Sequence, residues 1–451
     1  MKDKVIAVIL ASGAGERAGY SLPKQFIKIS GKTVLEHTLD AVERCSLVNG
    51  IYVVVPLQFR HTAETILECN RYKKVTKLLN GGDTRQESSR IAVNAIDDPQ
   101  TKVLVHDAVR PFISEEIIRN CILALDTHHA VDVAIPASDT IIRVDENQFI
   151  SDIPNRATMF RGQTPQAFRA GILQQAHILA LSDNASDFTD DCGLVLRYGL
   201  APVYVVSGEQ KNIKITYPED IFLADKLFQL NALESCAAGD LSGLQGKVLV
   251  VFGATKGIGK AICDLAESCG ALVCGFAKST GCNVALRGDV EAALRDVHRK
   301  ETRIDYIVNT AGVLKLGKIE DKHPDDIAEE IATNYLGAVN VVQAGIPYLR
   351  ATKGAILLFA SSSYTRGRAL YAVYSSTKAA IVNFVQAVSE ELFHDQVRIN
   401  TINPERTATP MRLDNFGKEP EGSLLSPERV AEVALKTLLS DLTGQVVYAT
   451  R

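Results

Sequence analysis

The stretch Val248-Leu249-Val250-Val251-Phe252-Gly253-Ala254-Thr255-Lys256-Gly257-Ile258-Gly259 decides the fold of the second half of the chain. Five consecutive apolar residues bounded by a glycine are typical of a buried strand. The glycines that follow have the spacing G-x-x-x-G-x-G, which permits a tight turn into a helix that begins near Ile258. Glycines at such a turn also let the backbone approach the pyrophosphate of a dinucleotide. The stretch therefore predicts a strand, a dinucleotide-binding turn and a helix.

Short apolar runs of this kind alternate with longer helix-like stretches along the whole chain. The alternation predicts an α/β fold with mainly parallel sheets. The other runs are Val5–Leu10, Ile51–Val55, Val103–His106, Val131–Pro136, Ile304–Asn309 and Ala355–Ala360.

A small and polar segment between Leu233 and Gly246 separates two halves of the sequence. We predict one domain at residues 1–235, a linker at 236–245 and a second domain at 246–451. In each half the first strand leads directly into a glycine-rich turn, which predicts two tandem Rossmann-like domains that handle nucleotides. The glycine patterns of the halves differ, so we expect two separate active sites.

Composition narrows the classes of partner. The 451 residues include 49 Lys plus Arg and 53 Asp plus Glu, a formal net charge of -4 that favours small-molecule substrates over nucleic acid or a membrane surface. No apolar run approaches the ~18 residues of a membrane span. The nine cysteines form no C-x-x-C pair, and the first residues lack an export leader. We therefore expect a cytoplasmic enzyme with reduced thiols.

A second glycine-rich loop, residues 11–19, follows the strand Val5–Leu10 and precedes Leu22-Pro23-Lys24. Its backbone N–H groups suit phosphate oxygens, while Arg17 and Lys24 suit the charge that develops as a phosphorus atom is attacked. The alternative is an ordinary tight turn. Together with the two cations, the predicted binding positions of this loop are Leu10, Ala11, Gly13 and Gly15.

Two further motifs, Gly81-Gly82-Asp83-Thr84-Arg85-Gln86-Glu87-Ser88-Ser89 and Val105-His106-Asp107-Ala108-Val109-Arg110-Pro111, complete a pattern over residues 1–230. This pattern resembles the cytidylyltransferases of the methylerythritol phosphate and ribitol phosphate type. The resemblance implies that Asp107 holds Mg²⁺ against the phosphates of CTP, which suits a hard ion that needs few protein carboxylates. The alternative for Asp107 is a helix N-cap. The resemblance assigns nucleotide binding to Gly82, Asp83, Arg85, Ser88 and Arg110.

The same resemblance extends to the acceptor. It implies that Arg156 and Lys214 grip the acceptor phosphate and that Thr164, in Gln163-Thr164-Pro165-Gln166, lies beside them. Two cations that converge on a phosphate monoester would align the nucleophile. The acidic residues at 189–191 also match positions of the family, but we interpret them as an ordinary solvated pair.

Downstream of the glycine turn at residues 253–259, three motifs occur in order: Asn309-Thr310-Ala311-Gly312, Ser361-Ser362-Ser363 and Tyr374-Ser375-Ser376-Thr377-Lys378. The set resembles the short-chain dehydrogenase/reductase family, which implies a doubly wound parallel sheet. In that family the tyrosine is the general acid and the lysine lowers its pKa. The resemblance assigns catalysis to Tyr374, Lys378, Ser361 (or its neighbour Ser362) and Asn334, and cofactor binding to Gly253, Thr255, Lys256, Gly257, Ile258, Gly259, Lys278, Asp289, Asn309, Ala311, Gly312, Tyr374 and Lys378.

Cofactor choice depends on the residues after the second strand of this half. Ala277-Lys278-Ser279 lacks the acidic residue that binds a ribose 2′-hydroxyl in NAD-dependent domains. Lys256 and Lys278 suit a 2′-phosphate instead, so we expect NADPH. Asn403-Pro404-Glu405 departs from the family pattern, which leaves the role of the loop at 405–425 open.

A reductase that makes an alcohol and a cytidylyltransferase that uses a phosphorylated alcohol form successive steps. The combination resembles the bifunctional enzymes that make CDP-ribitol in capsule-producing bacteria. The resemblance implies D-ribulose 5-phosphate, ribitol 5-phosphate and CTP as substrates and a homodimer as the assembly. Two alternatives remain: a methylerythritol 4-phosphate cytidylyltransferase joined to an unrelated reductase, and a chain in which one domain is inactive and serves dimerisation.

Overall fold

The structure is a computed structural model that describes residues 3–13, 22–70, 72–185, 188–237, 240–420 and 422–451. The chain divides into two compact units, residues 1–224 and 225–451. A helix, Pro218–Ala237, runs across this division. The linker at 236–245 remains a prediction.

The first unit is a mixed α/β sheet flanked by helices. Its strands are β1 (Val5–Leu10), β2 (Lys28–Ile29), β3 (Lys32–Thr33), β4 (Gly50–Val55), β5 (Val75–Asn80), β6 (Lys102–Asp107), β7 (Ala130–Pro136), β8 (Arg143–Val144), β9 (Ile150–Asp152), β10 (Phe160–Gly162), β11 (Gln166–Arg169) and β12 (Val203–Ser207). Its helices are α1 (Val34–Arg44), α2 (Arg60–Asn70), α3 (Arg85–Asn94), α4 (Glu115–Ala124), α5 (Ala170–Ser182), α6 (Asp191–Arg197) and α7 (Pro218–Ala237).

The main sheet of this unit has the order β10-β7-β11-β6-β1-β4-β5, with β12 paired to β7. The strands β1, β4, β5 and β6 are parallel, while β10 and β11 run antiparallel to their neighbours. All six residues of β1 are buried, because apolar side chains cover both faces of the sheet. Leu10 pairs with Asp107 at the carboxyl ends of β1 and β6. The residues that directly follow Leu10 and Asp107 therefore lie at the same end of the sheet.

The second unit is a six-stranded sheet in which every pairing is parallel, with the order β14-β13-β15-β16-β17-β18. Its strands are β13 (Val248–Phe252), β14 (Leu272–Phe276), β15 (Tyr306–Asn309), β16 (Ala355–Phe359), β17 (Arg398–Pro404) and β18 (Val446–Ala449). Its helices are α8 (Gly257–Ser268), α9 (Arg287–Glu301), α10 (Pro324–Ile331), α11 (Gly337–Thr352), α12 (Ala372–Glu391), α13 (Pro410–Phe416) and α14 (Pro427–Leu439).

The strand order places a topological switch at β13. The chain crosses from β13 to β14 on one side and then to β15 on the other side, and ligands bind beyond the carboxyl ends of strands at such a point. Two apolar clusters bury the opposite faces of the sheet. The predicted doubly wound fold is confirmed, and the predicted apolar runs begin and end within two residues of the strands that contain them.

Among the described helices, none has both the length and the apolar composition that crossing a membrane requires.

Candidate active sites

A buried carboxylate surrounded by three cations forms the centre of the first unit. Asp107 ends β6 and is 6% exposed. Its Oδ2 lies 2.7 Å from Lys214 Nζ and 3.9 Å from Arg110 Nε, and its Oδ1 lies 3.5 Å from Arg85 Nε. Burial alone would raise the pKa of Asp107, but Arg85, Lys214 and Arg110 hold that pKa well below its usual range. We call Asp107, Arg85, Arg110 and Lys214 the Asp107 cluster, whose central carboxylate stays ionised.

The structure excludes the alternative that Asp107 caps a helix. The residues after Asp107 form turns, and the next helix, α4, begins at Glu115 with Ser114 as its N-cap. The carboxylate of Asp107 is therefore directed to side-chain cations rather than to the backbone of a helix.

A second buried carboxylate holds Arg85 in place. Asp191 is 1% exposed, and its Oδ2 accepts a hydrogen bond from Arg85 Nη1 at 2.7 Å. Ser89 Oγ donates to its other oxygen at 2.6 Å. Although burial favours the neutral guanidine, Asp191 and Asp107 together raise the pKa of Arg85. Our interpretation of residues 189–191 as a solvated pair is wrong for Asp191, because α6 brings its side chain inward against α3.

Hydrogen bonds behind the cluster tie three chain segments together. Thr164 Oγ1 accepts from the backbone N–H of Asp107 at 3.2 Å and lies 2.9 Å from Nδ1 of His106. Asn212 is fully buried, donates to the carbonyl of Thr164 and accepts from Arg110 Nη1 through its own carbonyl. Burial lowers the pKa of His106 to about 4, so this imidazole is neutral at pH 7. The segments that carry Thr164 and Lys214 therefore converge on Asp107.

The two glycine-containing loops meet through a pair of serines. Ser12 Oγ donates to Ser88 Oγ at 2.7 Å, and Ser88 Oγ also accepts from the backbone N–H of Gly82 at 3.2 Å. A Cβ at Gly82 would lie 2.2 Å from the side chain of Glu87, so a larger residue there would displace that side chain. Asp83 is exposed, and its backbone N–H donates to Glu87. The predicted nucleotide loop and the loop after β1 are thus adjacent.

Three other predicted residues of this unit are Lys24, Gly15 and Arg17. Lys24 donates to the carbonyl of Thr216 at 3.0 Å, close in sequence to Lys214. Gly15 and Arg17 lie outside the described residues. Sequence reasoning missed Gln25, which is 2% exposed and donates to the carbonyls of Ala11 and Gly13, thereby joining the loop after β1 to the segment of Lys24.

Arg156 departs from the predicted arrangement. It lies on the exposed segment between β8 and β10, and its guanidinium donates to the carbonyl of Ser138 at 3.4 Å. Within the part of the chain that the structure describes, no hydrogen bond or ion pair joins it to Lys214 or to the rest of the Asp107 cluster. The expected convergence of Arg156 and Lys214 on one phosphate is not assembled there, because Arg156 lies in an exposed segment.

In the second unit, a cleft of about 960 Å³ opens at the topological switch. Gly253 has φ +83°, and a Cβ at Gly259 would lie 2.2 Å from the carbonyl oxygen of Gly253. These positions require glycine, as the spacing predicted. The predicted residues that line the cleft are Gly253, Lys256, Gly257, Ile258, Gly259, Ala311, Gly312, Ser361, Tyr374 and Lys378.

The tyrosine and lysine of the Y-x-x-x-K motif lie one helical turn apart on α12. Lys378 Nζ is 5.5 Å from the ring centroid of Tyr374 and donates to the carbonyl of Phe359 at 2.8 Å. Burial lowers the pKa of Lys378 to about 8 and raises the pKa of Tyr374 to about 12, although a hydrogen bond with Ser361 opposes that rise. The expected depression of the phenol pKa by the lysine is absent from this arrangement, because desolvation dominates both groups. Both Ser361 and Ser362 line the cleft, and of the two it is Ser361 that lowers the pKa of Tyr374.

Two predicted asparagines lie behind the cleft and shape its wall. Asn334 is 1% exposed and exchanges two hydrogen bonds with the backbone of Val313, while its Nδ2 also lies 3.3 Å from Thr377 Oγ1. It belongs to a π-helical turn, Ala332–Leu336. Asn309 Oδ1 accepts from the backbone N–H of Ala311 at 3.1 Å. Both amides therefore hold the segment after β15 in position.

Like Asn309, three other predicted cofactor residues do not line the cleft. Thr255 Oγ1 lies 3.5 Å from Ser279 Oγ, and Lys278 Nζ lies 3.2 Å from a carboxylate oxygen of Glu329. Asp289 accepts from the backbone N–H of Asn283 at 2.9 Å, which orders the turn before α9.

The cleft is also lined by residues that sequence reasoning did not identify. The loop whose role was open contributes α13, including Met411, Arg412 and Phe416. Arg368 and Tyr371, from the segment between β16 and α12, also line the cleft. Their only sequence signal was their position between the serine and tyrosine motifs.

Comparison with known proteins identifies both halves. The family model described as 2-C-methyl-D-erythritol 4-phosphate cytidylyltransferase matches residues 5–229, and the short chain dehydrogenase model matches residues 265–419. A crystal structure of 4-diphosphocytidyl-2C-methyl-D-erythritol synthase from Anaerococcus prevotii is similar over 50% of this chain and 96% of its own, with 35% identity and a TM-score of 0.45.

Curated relatives match one half or nearly all of the chain. A 2-C-methyl-D-erythritol 4-phosphate cytidylyltransferase of Thermobifida fusca is 39% identical over 51% of this chain and 94% of its own length. The bifunctional ribulose 5-phosphate reductase/CDP-ribitol pyrophosphorylase of Haemophilus influenzae is 44% identical over 99% of this chain and 96% of its own length. With a candidate site in each unit and this similarity across both, the chain belongs to the family of bifunctional ribulose 5-phosphate reductase/CDP-ribitol pyrophosphorylases.

Proposed function

We propose that the chain makes CDP-ribitol in two steps. The C-terminal domain reduces D-ribulose 5-phosphate to ribitol 5-phosphate with NADPH, and the N-terminal domain transfers a cytidylyl group from CTP to ribitol 5-phosphate with release of pyrophosphate. The observation that carries the proposal is the presence, in one chain, of a cationic cluster around Asp107 and a cleft that contains Tyr374, Lys378 and Ser361.

In the reductase domain, the bound nicotinamide supplies the hydride. Ser361 would hold the ketone oxygen against the hydroxyl of Tyr374, which donates the proton that completes the alcohol. Tyr374 is protonated at neutral pH, since its pKa is raised to about 12. Lys378 would contact the nicotinamide ribose, and Asn334 and Asn309 would maintain the wall against which the cofactor lies.

Added Cβ atoms at Gly253 and Gly259 would collide with the backbone, so the tight turn depends on glycine at both positions. Such a turn suits a dinucleotide, because it lets the backbone approach the pyrophosphate. Lys256 and Lys278 support the choice of NADPH over NADH. Lys278 is 70% exposed on its side chain, and its partner Glu329 is a surface carboxylate, so a 2′-phosphate can compete for this lysine. Thr255 and Asp289 remain proposed cofactor contacts at the rim.

In the transferase domain, an oxygen of the ribitol 5-phosphate attacks the α-phosphorus of CTP while the bond to pyrophosphate breaks. Lys24 and Arg17 would neutralise the charge that develops on the transferred group, and Lys214 would hold the acceptor phosphate. The loop of Gly82 and the first turn of α3, which carries Ser88, would bind the cytidine. Leu10, Ala11, Gly13, Gly15, Asp83, Arg85, Arg110, Arg156 and Thr164 are the other proposed binding positions.

The residues around Asp107 fit a Mg²⁺ ion that is held mainly by nucleotide phosphates. Asp107 is an ionised carboxylate at a strand end, and among the described residues no group of three His, Cys, Asp or Glu side chains forms a protein cage for a metal. A bound Mg²⁺ would neutralise phosphate charge. The ammonium of Lys214, 2.7 Å from Asp107, is then free to turn toward the acceptor.

We also propose a cytoplasmic homodimer that serves the synthesis of a capsular or surface polysaccharide. The cysteines whose side chains are described are free thiols, which fits a reducing compartment.

The proposed dimer rests on the segment from Ile141 to Phe160. Several large apolar side chains of this segment are exposed to solvent, which supports their burial against a second copy of the chain. The exposed apolar residues are Ile141, Ile142, Val144, Phe149, Ile150, Ile153 and Phe160.

The proposal is tested by incubating the full chain with D-ribulose 5-phosphate, NADPH, CTP and Mg²⁺, with mass spectrometry of products and absorbance of NADPH in the same tube. We expect CDP-ribitol and pyrophosphate only when NADPH is present, and slower reduction with NADH. NADPH oxidation without a CDP-linked product would refute ribitol 5-phosphate as the acceptor. Methylerythritol 4-phosphate in a parallel reaction tests the alternative acceptor.

A further inference from the structure

The cleft of the second unit contains a cation for which neither the cofactor nor the proton transfer provides a role. Arg368 lines the cleft on the side of Tyr371 and Tyr374. It precedes Tyr374 by six residues, in the segment between the serine motif and α12.

The other arginines of the cleft already have carboxylate partners. Arg412 forms two hydrogen bonds with Glu419, at 2.6 and 2.9 Å, and Arg406 lies 3.6 Å from the same carboxylate. Lys315 lies within 3.6 Å of both Asp326 and Glu329. Among the described residues, no carboxylate lies within ion-pair distance of Arg368. Its guanidinium is therefore available to an anion without the loss of an existing ion pair.

The main chain of Arg368 is anchored beside the reacting groups. Its backbone N–H donates to Ser375 Oγ at 3.4 Å, and the same hydroxyl donates to the carbonyl of Tyr371 at 3.0 Å. Ser375 is 3% exposed and directly follows Tyr374 in the first turn of α12. The segment of Arg368 is also held by a hydrogen bond from the backbone of Gly317 to the carbonyl of Leu370. The backbone of Arg368 is thus fixed next to the first turn of α12, which carries Tyr374.

We propose that Arg368 binds the terminal phosphate of the sugar substrate and thereby selects phosphorylated ketoses over neutral ones. The inference rests on the proposed reduction of D-ribulose 5-phosphate, and it assigns the group that recognises the phosphate. A guanidinium forms paired hydrogen bonds with phosphate oxygens, which fixes orientation as well as affinity. When a ketose is held by its terminal phosphate, its C2 carbonyl lies next to Tyr374 in a single orientation.

The test compares Arg368→Gln with Arg366→Gln, an exposed arginine two residues away that does not line the cleft. Oxidation of NADPH is followed with D-ribulose 5-phosphate and with unphosphorylated D-ribulose, and inorganic phosphate serves as a competing anion. For R368Q we expect kcat/KM with the phosphorylated substrate to fall about tenfold to a hundredfold, mainly through KM, with weaker inhibition by phosphate. We expect turnover of D-ribulose to be unchanged, R366Q to match the wild type, and Arg368→Lys to recover part of the loss.

The outcomes separate this inference from the proposed function. If the wild type reduces D-ribulose 5-phosphate and R368Q retains its KM and its inhibition by phosphate, the role of Arg368 is refuted and the reaction stands. If R368Q lowers turnover of D-ribulose and D-ribulose 5-phosphate equally, Arg368 is structural and the inference is also refuted. If the wild type reduces a different phosphorylated ketose and R368Q weakens that substrate alone, the proposed substrate fails and Arg368 keeps its role. Cytidylyl transfer by each variant verifies that the chain is folded.

Discussion

The guanidinium of Arg85 lies between two buried carboxylates, with its Nη1 2.7 Å from Asp191 and its Nε 3.5 Å from Asp107. Asp191 thereby determines where Arg85 points, although the two residues are 106 positions apart. Because Asp191 fixes the orientation of Arg85, its guanidinium presents a fixed charge at the carboxyl ends of the strands, where the nucleotide is proposed to bind.

Asp191→Asn should release Arg85 and impair cytidylyl transfer. The substitution keeps the shape of the side chain but leaves a buried guanidinium without one of its counter-ions, which costs about 3 kcal/mol of stability. We expect at least a tenfold loss of CTP-dependent activity and a lower melting temperature, with normal reduction. Asp190→Asn is the matched control, because Asp190 caps α6 through Gly193 and asparagine caps equally well. Equal activity of the two variants would contradict the role of Asp191.

Lys24→Ala and Tyr374→Phe should each abolish one activity and spare the other. Lys24 belongs to the first unit, and Tyr374 lines the cleft of the second unit. Pyrophosphate release with supplied ribitol 5-phosphate and oxidation of NADPH measure the two reactions separately. If either variant lost both activities while remaining folded, the two sites would not be independent.

Reduction should slow as the pH rises through about 8. Burial lowers the pKa of Lys378 to about 8, so its ammonium is present below that pH and is lost above it, while Tyr374 keeps its proton up to about pH 12. The pH profile of kcat/KM reports groups of the free enzyme and should show this alkaline limb. Circular dichroism over the same range serves as the control for unfolding. A profile that stays flat to pH 10 would contradict the assignment.

Asp132→Asn should stabilise the first unit at neutral pH. Burial raises the pKa of Asp132 to about 6, so keeping its carboxylate ionised costs stability above that pH, by up to about 3 kcal/mol. This cost develops as the pH rises from about 4 to 6, and the gain from the substitution should therefore shrink at pH 5. Thermal unfolding at pH 5 and pH 7.5 measures the difference. Asp139→Asn, at an exposed position, should leave the melting temperature unchanged at both pH values.

Phe149→Asp should weaken the proposed dimer. Phe149 is 71% exposed within the apolar segment of Ile141 to Phe160, and a charge there opposes burial against another copy. Light scattering after gel filtration measures the mass of the particle. Leu57→Asp, at another exposed apolar position of the first unit, should leave that mass unchanged. A wild-type monomer would refute the dimer itself.

Local patterns in the sequence predicted most of the fold. The apolar runs Val5–Leu10 and Val248–Phe252 are strands as expected, because five or six apolar residues next to glycines have few other ways to bury themselves. The glycine spacing after Phe252 and the Tyr374-to-Lys378 spacing on one helix are equally local. Such features depend on neighbours within a few residues, so the sequence alone contains them.

Only the tertiary structure decided which distant side chains meet. It brought Asp191 inward to hold Arg85 and paired Lys214 with Asp107, while Arg156 lies in an exposed segment and donates to the carbonyl of Ser138. It also buried Lys378 enough to lower its pKa, against the expectation that its charge would depress that of the tyrosine. The sequence by itself determined the strands, the glycine turns and the residue types of both sites. The charges, partners and orientations of those residues followed from long-range packing, because electrostatic energies depend on burial and distance in three dimensions rather than on separation along the chain.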